Sequence, residues 1–157
     1  MSDRVQLQAA AGPAAGHLVV GHDRSASAGR ALEVAVDLAR RLGGAAVHVV
    51  HGVDLDDYPI DPDSADWDQQ AARALEEQRR AVRDVAGGAL GGWSYHAGRG
   101  DPADLLVALA QEVDALMIVV GTQGEGVSAV FERVLDRSVS HAVIHRQHRP
   151  VLVVPPS

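Results

Sequence analysis

The chain predicts an α/β fold, a five-stranded parallel sheet with helices on both faces. Three observations predict it. Short apolar runs such as Leu18-Val19-Val20, Ala115–Val120 and Val151–Val154 are continuous rather than alternating, as strands covered on both faces require. They take turns along the chain with longer segments whose apolar positions recur at helical spacing. Glycine or proline punctuates the joints, at Gly43-Gly44, Gly87-Gly88, Gly91-Gly92 and Asp101-Pro102.

Taken in order, residues 1–15 read as a flexible tail and residues 16–157 as the folded domain. His17–Gly21 is the first strand. Asp23, Ser25 and Ser27 then offer N-caps to a helix over Ala28–Leu42, whose apolar side is Ala31, Leu32, Ala35, Leu38, Ala39 and Leu42. Gly43-Gly44 ends it, and Ala45–Val50 is a second buried strand. Asp54–Asp68 is acidic, carries Pro59 and Pro62, and reads as a solvated loop; it lacks the spacing and glycine of a calcium loop. Ala71–Val85 is a charged amphipathic helix. Trp93–Ala97 is a third strand, less apolar and so expected near a sheet edge. Asp101 caps a helix with Pro102 at its first position and Leu105, Leu106, Leu109 and Ala110 on its buried side. Ala115–Val120 is the fourth strand, Ser138–Arg146 a helix and Pro150–Pro155 the fifth strand.

The length of 157 residues suits one domain with a real core. Cysteine is absent, which excludes disulfides, thiolate nucleophiles and thiolate zinc sites. All 14 basic residues are arginine, so neither a Walker lysine nor a Schiff-base lysine exists, and phosphate must be held by amides, hydroxyls or arginine. A formal charge of −7 with 3% aromatic residues argues against a nucleic-acid partner. No apolar run has the length to span a bilayer, and Met1–Gly16 lacks the apolar stretch of a secretory signal, so the expected location is the cytoplasm.

A parallel sheet binds ligands beyond the carboxyl ends of its strands. The loops after the first and fourth strands begin there with Asp23 and with Gly121-Thr122-Gln123-Gly124-Glu125-Gly126. Gly121, Gly124 and Gly126 can present N–H groups to a ribose or phosphates, or simply form a turn. Ser138 and Ser140 open the last predicted helix, where hydroxyls and amides hold anions or cap the helix. His141, His145 and His148 share a helix face, but no HExxH motif is present, so a solvated or subunit-facing stripe is expected and no metal. His22 and His51 stand at strand ends. Gly126-Val127-Ser128-Ala129-Val130 lacks the last glycine of a nucleophile elbow, and no catalytic residue is assigned.

Three segments in order resemble the universal stress protein family over roughly His17 to Pro155. They are Val19–Ser25, Gly100–Asp104, and Val119–Gly124 joined to Ser138–Val143 and Arg149–Val154. The resemblance implies a Rossmann-like sheet of the adenine nucleotide alpha hydrolase type and a stress-response regulatory module. It implies an adenine nucleotide, ATP with Mg2+ first and AMP or cyclic AMP as alternatives, with at most slow hydrolysis. Asp23 would accept from the adenine amine, and the Val49 backbone would meet the base. A homodimer would pair the last strand, Val151–Val154. The chain departs from the family's ATP pattern at Val134, Arg137 and Arg24. Arg137 can clamp phosphate through its planar fork or fill the pocket; in the second case the chain is a protein-interaction module.

Overall fold

The computed structural model describes residues 13–23, 26–52, 65–121 and 149–155. Their elements are β1 His17–Gly21, α1 Ala26–Arg41, β2 Ala46–Gly52, α2 Trp67–Ala86, β3 Trp93–Gly98, α3 Pro102–Glu112, β4 Met117–Gly121 and β5 Val151–Val154. The five strands form one sheet in the order β3-β2-β1-β4-β5, with every neighbouring pair parallel. The less apolar third strand does lie at an edge.

This order decides where the helices go. The chain steps outward from β1 to β2 to β3, then returns past β1 to lay β4 on its other side. Right-handed crossovers keep α1 and α2 on one face and move α3 to the other when the direction reverses. The core divides accordingly. Leu18, Val20, Val47, Val49, Tyr95 and Val119 pack with Leu32 and Ala35 of α1 and Val82 and Ala86 of α2. Val19, Val50, Ile118 and Val120 pack with Leu106, Leu109 and Ala110 of α3. Successive strand residues serve opposite cores, which is why β1 and β4 run apolar without a break at Leu18–Val20 and Met117–Val120.

Several boundaries differ from the sequence expectation, three of them for visible reasons. α2 begins at Trp67 rather than Ala71, inside the stretch read as a loop. Asp68, Gln69 and Gln70 are exposed, so apolar spacing carries no sign of them; Asp68 favours the helix dipole, and the Gln70 amide bonds to the Asp66 carbonyl. β2 runs on to Gly52 because β3 stays paired beside it, His51 opposite Ala97 and Gly52 opposite Gly98. β4 starts at Met117 rather than Ala115, since the end of α3 still holds that stretch: the Ala115 amide bonds to the Ala110 carbonyl, and Asp114 adopts φ 50°. At the start of α3 the expected cap is in place, with Asp101 Oδ1 accepting from the Ala103 amide at 2.8 Å. The tail through residue 12, the acidic stretch 54–64 and the helix expected at Ser138–Arg146 lie outside the described residues.

Candidate functional site

The reversal of strand order falls between β1 and β4, which lie side by side with Val20 opposite Val119. At such a switch point the loops leaving two adjacent strands diverge to opposite faces and leave a crevice at their carboxyl ends. Gly21, His22 and Asp23 leave β1 on one side of it, and Gly121 ends β4 on the other. Asp23 and His22 are both half-buried.

All four strands at this rim from β3 to β4 end in glycine: Gly98, Gly52, Gly21 and Gly121. Two of these positions need it for close approach. A Cβ on Gly121 would stand 2.7 Å from the Ser27 carbonyl oxygen in the first turn of α1, and one on Gly52 would stand 2.7 Å from Pro102 Cγ at the start of α3. On Gly98 it would press on Leu105 at 3.2 Å. The bare backbone lets both helices close down on the strand ends. Helix N-termini therefore converge on the rim from both faces, and their dipoles favour negative charge there.

The β1 loop is tied to β2 through His22. Its amide donates to the Val50 carbonyl at 2.8 Å, and its carbonyl accepts from His51 Nδ1 at 3.0 Å. A carbonyl only accepts, so the proton of neutral His51 sits on Nδ1. His51 is 1% exposed and stacks on Tyr95 of β3, with centroids 6.4 Å apart. Burial, aided by His51 and opposed by Asp23, lowers the His22 pKa to about 4. Near neutrality the rim therefore offers an uncharged imidazole beside the Asp23 side chain. Such a pair suits N–H groups of a ligand.

Of the residues singled out from the sequence, Gly121 ends β4, and Asp23 follows the end of the adjacent β1 by two residues. Val49 stands inside the sheet between Val20 and Tyr95, three residues short of the end of β2, with a fully buried side chain. Gly124, Gly126, Arg137, Ser138 and Ser140 lie outside the described residues, as do His141, His145 and His148. Gly52 and Gly98 were not expected to shape this rim. The available signal was that successive strands each close on a glycine. Among the described residues no group of three His, Cys, Asp or Glu side chains could hold a metal ion, and no helix is long and apolar enough to cross a membrane.

Residues 15–155 match the Universal stress protein family. The chain belongs to this family. A universal stress protein solved in complex with cAMP is 27% identical, with a TM-score of 0.60, covering 90% of this chain and 98% of its own. One from Archaeoglobus fulgidus is 25% identical, with a TM-score of 0.53, covering 88% and 93%. The universal stress protein UspA from Lactobacillus plantarum, at 22% identity and a TM-score of 0.59 over 94% and 100%, shares the fold. No curated protein matches the chain significantly. The family carries the Rossmann-like α/β fold observed here.

Proposed function

We propose that this universal stress protein is a cytoplasmic stress-response module that binds an adenine nucleotide in the crevice between β1 and β4. The observation that carries the reading is that β1, whose end Asp23 follows by two residues, lies beside β4, which ends at Gly121, at the switch point. In this reading Asp23 accepts from the adenine amine, beside the Val49 strand whose end reaches His51 and Gly52. Gly121, Gly124 and Gly126 supply amides to the ribose and phosphates. Arg137, Ser138 and Ser140 hold the terminal phosphates, which bring Mg2+ with them. The similarity to a family member in complex with cAMP supports an adenine nucleotide and keeps cyclic AMP and AMP beside ATP as ligands. The protein is a binding module and at most a slow hydrolase. Two copies pair through β5, whose Val151 and Leu152 are 45% and 36% exposed at the sheet edge.

A specific observation favours a second reading. The contact of Gly121 with Ser27 accounts for that glycine without any ligand, as in a protein-interaction module whose crevice is closed. Calorimetric titration with ATP, AMP and cyclic AMP in the presence of Mg2+ separates the two. The first reading expects saturable binding to at least one nucleotide, weakened roughly tenfold or more by Asp23→Ala as a charge-assisted hydrogen bond is lost. Absence of binding by protein stripped of co-purified nucleotide would overturn it in favour of the second.

A further inference from the structure

Away from the crevice, two histidines meet on the sheet face that carries α3, where β1 and β2 begin. His17 Nδ1 of β1 lies 2.9 Å from His48 Nε2 of β2. The ring centroids are 5.1 Å apart, close to the greatest separation that a 2.9 Å nitrogen contact allows. The two nitrogens therefore face each other along the line between the rings. A metal ion on that line would need about 4 Å between them, so the contact is a hydrogen bond. The other nitrogen of His48, Nδ1, lies 2.6 Å from Ser94 Oγ of β3. Ser94 is 4% exposed, and both histidines are half-buried.

We propose that His17 and His48 act as one proton acceptor: the pair takes up a single proton, keeps its nitrogen–nitrogen contact between β1 and β2 when it does so, and loses that contact with a second. An N–H···N bond needs a hydrogen on one nitrogen and a lone pair on the other. With both rings neutral, either can donate. One added proton still leaves a lone pair in the contact, whichever ring holds the charge. Cationic His17 donates from Nδ1 to Nε2 of neutral His48. Cationic His48 donates from Nε2 to Nδ1 of neutral His17. A charged donor strengthens the bond in both forms. Both forms also put a hydrogen on His48 Nδ1, because either Nε2 is the acceptor or both nitrogens are protonated. Ser94 Oγ accepts that hydrogen, wherever its own hydrogen points and whatever else His96 contacts. The singly protonated pair thus satisfies both nitrogens of His48. A second proton sets N–H against N–H in one contact, between like charges. The two rings therefore titrate as a coupled pair.

The surroundings favour one charge over two. The charges that act most on His48 are those of His17 and His96, and with burial they lower its pKa to about 4. The described helix over this face is α3. Its ionisable side chains Asp104 and Glu112 are exposed, and Asp101 accepts at the cap. β4, on the other side of β1, brings no ionisable side chain. Near the start of β1, Arg149 is bound to Asp114 and to the Ala115 carbonyl.

Nitrogen-15 NMR of the imidazoles in the full chain, from about pH 8 to about pH 5, follows both the protons and the contact. A through-bond coupling between His17 Nδ1 and His48 Nε2 is expected near pH 8. It should persist as the pair takes up one proton, with His48 Nδ1 protonated and one positive charge between the two rings at the acid end. Loss of the coupling with the first proton, as when His17 swings into water, would overturn the proposal. So would two cationic rings in the folded protein, or no proton taken up by the pair. His48→Gln should abolish the coupling, and a coupling that survives on His17 in the folded variant would also overturn it. Should that variant not fold, the wild-type titration decides alone.

Discussion

Gly121 illustrates what a single residue does here. Its place after an apolar run marks it in the sequence as a residue the backbone needs. The reason, contact with the Ser27 carbonyl, depends on how close α1 comes to β4, and local sequence holds no trace of that. Gly121→Ala should destabilise the fold by about 1–3 kcal/mol, read from the midpoint of urea unfolding, because backbone must move to admit the methyl group. The histidines carry a second residue-scale prediction. His22 and His48 both have pKa values lowered from 6.5 to about 4 in the fold. The unfolded chain thus binds more protons between those values. Their stabilisation is fully present above about pH 6.5 and is lost as pH falls toward about 4, on the order of 1 kcal/mol each by about pH 5.5. Thermal melts across that range should show the loss, and a stability independent of pH there would contradict the burial of both rings. The hydrogen-bonded row of His17, His48 and Ser94 on the sheet was invisible in the sequence. It needs His48 opposite Ser94 and next to His17, which only the strand register supplies.

Elements were legible where burial and chemistry repeat locally. Every strand but the less apolar third announced itself by its apolar run, and α3 by Asp101-Pro102. Asp101→Ala should cost about 1 kcal/mol, since the Ala103 amide loses its acceptor, and Asp101→Asn should recover most of it. The first turn of α2 was not legible, because its exposed residues answer to the helix dipole and not to a core. β5 is the element with a consequence beyond the monomer. If two copies pair along it, Leu152→Glu should convert a dimer to a monomer in sedimentation while the sheet survives. A monomeric wild type would remove the pairing from the account.

For the whole molecule, the alternation of strands and helices was enough to give a parallel sheet, and the return of the chain past β1 gives the switch point. Asp23 and Gly121 are far apart in sequence, and strand order alone brings the ends of β1 and β4 side by side. Apart from Val49, the remaining site residues named from the sequence follow Gly121, where the described residues stop until Arg149. The central claim is that an adenine nucleotide occupies the crevice between β1 and β4. The most direct measurement is amide NMR of the labelled protein titrated with ATP and Mg2+, repeated with cyclic AMP. The account predicts saturable shifts concentrated at Gly21, His22, Asp23, Gly52 and Gly121, with His17, Ser94 and Leu116 unmoved. Shifts clustered elsewhere, or none at millimolar nucleotide, would contradict it.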